Sequence, residues 1–339
     1  MKRREKLALL ALVAATLLVM LVSVGQGAMP ITASDTARIL LSPLSGQAPS
    51  AFAANQVAVV WEIRLPRILA SFLVGAGLSV AGVIFQSLLG NPLADPYTLG
   101  VSTGAAFGAS LAILLNLLYG LAIPVTPPAF GMAMAALVFV LALAQRRGDL
   151  AASNLVIAGM IVSAVLSSAI SFMKMLAGEN VSAIVQWMMG SLSAKNWDEL
   201  ALLFPIVLAS TVVAASFAGE LNLMNFGERA ARALGVNVRR TRLVLLLAGA
   251  LVTAGCVSVS GVIGFVGLIV PHMLRMAGAR DNRALVPLSA LGGGLLLLVA
   301  DNCARLLGNG DIPVGILTTL IGGPFFLYLF MRRGGHGLC

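Results

Sequence analysis

Charge is what this chain has least of. Only 10% of its 339 residues are Asp, Glu, Lys or Arg, too few to cover the surface of a water-soluble domain of this size. Histidine and cysteine are scarcer still: His272, His336, Cys256, Cys303 and Cys339 complete both sets. The cysteines are scattered and odd in number, so neither a disulfide framework nor a metal-ligand spacing follows. No H-E-x-x-H and no G-x-x-x-x-G-K-[ST] occurs, so the sequence holds no zinc-protease helix and no phosphate-cradling loop of its own. The net charge of +9 is not interleaved with aromatics on one polar face, which speaks against nucleic acid as a partner.

What is present is oil: 59% of the residues are hydrophobic, and 36 glycines suit close helix packing in lipid. Apolar runs of about 20 residues, enough to cross ~30 Å of hydrocarbon as helices, recur from end to end. The expected fold is therefore an all-α, multi-pass membrane bundle forming a single domain over residues 1–339.

Lys2, Arg3, Arg4 and Lys6 precede the first run, Leu7 to Val24, whose length reads as a membrane helix, although Gly27-Ala28 loosely resembles a cleavage site. Ala28 to Asn55 is polar and too weakly apolar to span, and reads as an external loop. Further spans are expected from Pro66 to Leu89, Leu99 to Leu118, Phe130 to Ala144, Leu155 to Leu176 and Leu200 to Phe217, with a short interfacial helix between Gly178 and Asp198. Gly100, Gly104 and Gly108 would flatten one face of the third span. Leu243 to Leu274 is too long for one simple helix and should divide near Ser260; Leu285 to Ala304 and Pro313 to Met331 complete ten spans. Ten spans put both termini on one side. With the N-terminus inside, sixteen of the 22 Lys and Arg lie inside, and the cytoplasmic assignment follows.

Between the sixth and seventh spans lies a charged island, Gly219 to Arg242, holding Glu220, Glu228, Arg229, Arg232, Arg239, Arg240 and Arg242. Phe226, Ala230, Ala233 and Leu234 repeat at helical spacing and Gly235 is placed as a C-terminal cap, so a short amphipathic helix facing a cytosolic partner is one reading. A solvated, positively charged connection is the other.

Few residues offer chemistry. Gly100-Val101-Ser102-Thr103-Gly104 matches a nucleophile elbow, but that motif needs a strand-to-helix turn and a histidine partner. Asp301, within the ninth span, is the one candidate for a proton path and would make this a self-sufficient secondary carrier. Arg305, four residues on, could instead simply neutralise it. Arg64 and Arg67 at the mouth of the second span, with Arg305, could anchor headgroups or grip acidic residues of an external protein.

Taken together, several ordered motifs resemble the permeases of bacterial ABC importers for iron-siderophores, haem and cobalamin. They are R-L-P-R at Arg64 to Arg67, N-P-L-A-D-P at Asn91 to Pro96, L-G-V-S-x-G at Leu99 to Gly104, W-M-M-G-S at Trp187 to Ser191, G-E-x-A-x-x-L-G-V within Gly227 to Val236, G-x-I-x-F-V-G-L-x-x-P-H at Gly261 to His272, and P-V-G-I-x-T-x-x-x-G-x-P-F-F at Pro313 to Phe326. The resemblance implies a homodimer of ten-helix subunits in the bacterial inner membrane, two cytosolic ATPases that bind the ATP and Mg, an external substrate-binding protein, and no cofactor or catalytic residue in this chain. It implies ATPase coupling through Gly227, Glu228, Ala231, Leu234 and Gly235, docking of the binding protein on Arg64, Arg67 and Arg305, and a cytoplasmic gate at Asn91, Leu93 and Ser153. Asp311 departs from the glutamate frequent in the family, and the cargo is not named by these motifs.

Overall fold

The computed structural model describes residues 2–27, 29, 31–45, 54–146, 150–307 and 312–333. Ala28, Arg147, Asp311, His336 and Cys339 lie outside the described residues.

The apolar runs all become helices. In chain order these are α1 (Arg3–Gly25), α2 (Ala33–Ser45), α3 (Ala54–Ala58), α4 (Leu65–Leu88), α5 (Val101–Tyr119), α6 (Thr126–Arg146), α7 (Ala152–Ala177), α8 (Val181–Met188) and α9 (Trp197–Ser216). Then follow α10 (Ala218–Met224), α11 (Glu228–Ala233), α12 (Val238–Ser260), α13 (Val266–Met276), α14 (Asn282–Leu307) and α15 (Val314–Arg333). Val59–Arg64 forms a stretch of π-helix that joins α3 to α4.

α4 is the axis. It is enclosed on all sides, and every residue from Val74 to Leu88 is buried, as expected of a largely apolar helix surrounded by others. α9, α12, α13 and α14 pack around it. Contact is close because glycine meets glycine: a Cβ on Gly75 would lie 2.3 Å from the Gly293 carbonyl oxygen, and one on Gly293 would lie 2.4 Å from that of Gly75. The flat face expected on α5 is found for two of its three glycines: Gly104 and Gly108 lie against the backbone of α6, whereas Gly100 precedes the helix and faces α7.

Eight helical stretches among the described residues are long and apolar enough to cross a membrane; Val266–Met276 and Val314–Leu327 are apolar but shorter. Eight of the ten expected spans fall on these helices, and the eighth and tenth fall on the two shorter ones, so among the described residues eight helices rather than ten have spanning length. α13, at about 1.5 Å per residue, reaches only ~16 Å. The run from 243 to 274 does divide at Ser260: Gly261 adopts φ +71° and Phe265 φ +70°, which end α12 and restart the chain as α13. Phe265 holds a backbone shape that costs a side-chain-bearing residue about 1–3 kcal/mol, and its ring rests 6.2 Å from that of Phe326.

One expectation is corrected. The segment after α1, expected as an external loop, carries α2, with Ile31 and Ile39 packed against Val24, Val60, Ile68 and Leu298. Thirteen residues of mixed polarity are too short and too polar to span, yet amphipathic enough to pack one face beside α1.

The two ends of the bundle differ as the charge partition requires. At one end Lys2 and Glu5 share a cavity with Asn222, Phe226, Arg280 and Asp281. At the other lie Arg64, Arg67, Asp301 and Arg305, and the Trp197 indole donates to the Trp61 carbonyl.

Candidate functional sites at the two ends

The charged island is a helical hairpin seated on the bundle. α10 buries Ala218, Leu221 and Met224, then Gly227 at φ +97° turns the chain into α11. α11 turns Ala231 alone fully inward, and Gly235, at φ +87°, ends the turn in the left-handed conformation that suits glycine. The helix expected from periodicity is present, but its apolar residues face away from the protein: Phe226 is 79% exposed and Leu234 65% exposed, with Ala230 and Ala233 also open.

The hairpin is anchored from behind by Glu228. Its Oε1 accepts from Arg242 Nη2 at 2.5 Å and its Oε2 from Arg232 Nη2 at 3.1 Å. Arg242 is buried and its Nη1 also donates to the Leu150 carbonyl at 2.9 Å, so one guanidinium ties α11, α12 and the start of the α7 segment together. Glu228→Ala leaves that buried guanidinium without its carboxylate. Because Glu228 is 37% exposed, water offsets part of the loss, and the expected cost is about 1–2 kcal/mol, read as a lowered thermal midpoint of the purified protein.

On the same end, Asn91 and Leu93 line a cavity of about 400 Å³ with Ala152 and Ser153. Three residues separated by 62 positions at their extremes, Asn91 to Ser153, are thus neighbours. Asn91 Oδ1 accepts from the Leu93 amide at 2.9 Å, which sets the turn. Beyond it, burial raises the Asp95 carboxyl to about 6, against the lowering effect of the Tyr97 amide it caps.

At the far end the three arginines are engaged internally. Arg64 is only 4% exposed; its Nη1 donates to the Val24 carbonyl at 2.7 Å and its Nη2 to that of Met29 at 2.5 Å, closing the C-terminal end of α1. It sits behind the outer surface, not on it. Arg67 clasps Asp301 with Nε at 3.2 and 3.1 Å and Nη2 at 3.0 Å. Arg305 Nε lies 3.7 Å from Asp301 Oδ2, and Asn302 Nδ2 donates to Ser23 Oγ at 2.5 Å. The i,i+4 pairing expected for Asp301 is there, but the stronger partner is Arg67, 234 positions away, which no local pattern could have shown.

Ser102 occupies the first turn of α5 and is buried, on a helix and without the strand that an elbow requires. His272 is buried in α13 with its ring 5.9 Å from that of Phe326.

Known proteins similar to this chain in sequence and shape include transporter subunits. The FecCD transport family profile matches residues 15–332. An uncharacterized ABC transporter permease protein, YvrB of Bacillus subtilis, is 42% identical over 288 residues, 83% of this chain and 81% of that one. The cobalamin import system permease protein BtuC of Halobacterium salinarum is 41% identical over 288 residues, covering 84% and 77%. Among solved structures, an inward-facing conformation of a metal-chelate type ABC transporter superposes with a TM-score of 0.80 at 31% identity over 97% of this chain and 99% of that one.

Proposed function

The chain belongs to the FecCD transport family of ABC transporter permeases, and from that premise we propose that it is the membrane-spanning subunit of an ATP-driven importer for a metal chelate. In this reading a homodimer of the chain sits in the bacterial cytoplasmic membrane. Two cytosolic ATPase subunits bind ATP and Mg, and an external binding protein delivers the cargo. No step of ATP hydrolysis is assigned to this chain.

The observation that carries the reading is the island hairpin. A solvated connection has no reason to hold Phe226 and Leu234 out in water while fixing the backbone behind them through Glu228, Arg242 and Leu150. A rigid exposed apolar patch rimmed by arginines suits a protein partner. ATP-driven closure of that partner would pull on the patch, and differential binding of the two states would do the work.

A chelate is favoured over a bare ion by the cavity of about 620 Å³ where the α12–α13 break meets α8 and α15. It is lined by Met188, Met189, Val262, Ile316 and Leu320, with Tyr97 and Thr319 and no charged side chain. A naked cation would have to find oxygen or nitrogen ligands there, whereas a chelate brings its own. The cobalamin and metal-chelate relatives carry cargo of that kind in their names.

Docking of the external protein is assigned to Arg67 and Arg305, each still partly accessible at 12%. An acidic side chain arriving there would compete with Asp301. Arg64 holds α1 in place beneath them. Asn91, Leu93 and Ser153 are assigned to the inner gate.

The test is reconstitution with the cognate ATPase. Phe226→Asp with Leu234→Asp touches no buried residue, so folding should be unaffected while ATPase capture and cargo uptake fall by about tenfold or more. Uptake by the purified chain in vesicles without any ATPase would defeat the proposal.

A further inference from the structure

A chain of polar side chains runs from the island into the middle of the bundle. Asn222, in α10, donates from Nδ2 to Asp281 Oδ1 at 2.7 Å and accepts on Oδ1 from the Asn282 amide at 2.9 Å, so α10 is tied at two points to the start of α14. The Asp281 carboxyl is held below its usual range, first by the Arg283 amide and then by Asn222. Asn282 is buried, and its Oδ1 accepts from Ser87 Oγ at 3.4 Å, in the last turn of α4. Arg275, at the inner end of α13, donates to Ser87 Oγ at 3.4 Å and to Gln86 Oε1. Gln86 then donates from Nε2 to the Gly267 and Leu268 carbonyls, each at 3.3 Å, at the outer end of α13. One buried side chain of α4 therefore grips α13 near both of its ends.

We propose that Asn222, Arg275 and Gln86 are positioning residues that make α13 move with the island, so that a pull on α10 is delivered to the α12–α13 break at 261–265. Burial makes the inner half of the linkage stiff, while the Asn222–Asp281 bond at its rim is exposed. Gln86 is enclosed, and its bonds cannot be exchanged for water when α13 shifts. The break is the part of the chain with most to gain from such a lever. It walls the apolar cavity through Val262 and Gly264, and Tyr97, which lines the same cavity, donates from its hydroxyl to the Ile263 carbonyl. A rod pinned to α4 and joined through α14 to α10 thus ends at the apolar cavity, and coupling of this kind needs an element with two discrete arrangements. This inference rests on the importer reading for its purpose but not for its geometry.

The experiment compares amide hydrogen exchange in the full-length purified protein with Asn222→Ala, a change at the outer rim of the network. Exchange should accelerate at 278–283 and also at 262–268, by about three- to thirtyfold. Asn116→Ala cuts two bonds to Ile123 at the opposite end and should leave 262–268 unchanged. Asn222→Asp alone sets two carboxylates face to face; adding Asp281→Asn restores a donor and an acceptor across the gap, and exchange at 262–268 should recover. Acceleration confined to 278–283 overturns the proposal, and so does failure of the paired change to recover it. In the assembled transporter, Asn222→Ala should leave ATPase binding intact and lower cargo moved per ATP by a similar factor; an unchanged ratio also overturns it. A wild-type assembly with no ATP-driven uptake would remove the importer reading and leave the exchange comparison to decide the linkage.

Discussion

Asp301→Ala should destabilise the protein by about 3–5 kcal/mol, enough to reduce the yield of folded material and lower its thermal midpoint sharply. The carboxylate is 1% exposed and faces two guanidiniums, with Arg67 bidentate at 3.0–3.2 Å and Arg305 at 3.7 Å. Taking it away leaves two cations at a nearly closed helix junction with no counter-charge. The junction is where α1, α4 and α14 meet, so loss of the pair loosens Ser23 and Asn302 as well. Asp301→Asn should cost less, because the amide oxygen still accepts from Arg67. That variant also separates two mechanisms. An importer powered by a separate ATPase should retain uptake in proportion to folded protein, whereas a carrier moving protons on Asp301 would stop whatever the ATP supply. A thermal midpoint unchanged in Asp301→Ala would show that the clasp contributes nothing to the fold.

Gly82→Ala should prevent folding altogether. Its Cβ would stand 1.7 Å from the Gly267 carbonyl oxygen and 2.6 Å from the carbonyl carbon. The obstacle is backbone in the first turns of α13, not the flexible end of a side chain. α13 is itself wedged the other way, since a Cβ on Gly267 would reach the Leu78 carbonyl oxygen at 2.6 Å. Overpacking commonly costs about 1–3 kcal/mol where side chains can yield; here two helix backbones would have to part, which also breaks the Gln86 bonds to Gly267 and Leu268. Gly131→Ala, on the open face of α6 with nothing within 4 Å, is the control and should be neutral or slightly stabilising. Equal recovery of the two variants by size-exclusion chromatography would contradict the packing described.

Much of the bundle was legible before any coordinate. Apolar length alone located α4, α5, α6, α7 and α9 within a few residues, because an unbroken apolar run of about 20 residues in lipid satisfies its backbone as a helix. The division at Ser260 could be read from the glycines that follow it, and the end that holds Lys2, the island and Arg280 from the excess of basic residues. α2 was missed because Ser34, Asp35, Arg38 and Pro43 make its stretch read as a polar loop and hide its one-sided apolar face. The ion-pair and hydrogen-bond network was missed for a different reason: Arg67 and Asp301, Glu228 and Arg242, and Gln86 and Arg275 carry no shared local pattern that marks them as partners.

For the candidate sites the division is similar. The motifs pointed to Glu228, Leu234 and Gly235, and to Asn91, Leu93 and Ser153, but the apolar residues of the island could equally have packed inward. Their exposure emerges only once Ala231 is seen to fill the space beneath α11 and Arg242 to lock it. Arg64 shows the converse, since its place in R-L-P-R beside Pro66 looked like surface and its burial follows from where α1 ends. One-dimensional order specifies how long each apolar run is and which way charge drives it across a bilayer, as these are properties of consecutive residues meeting lipid and water. Which buried charge finds which partner depends on helices far apart in the chain arriving side by side, and that is a matter of packing in three dimensions.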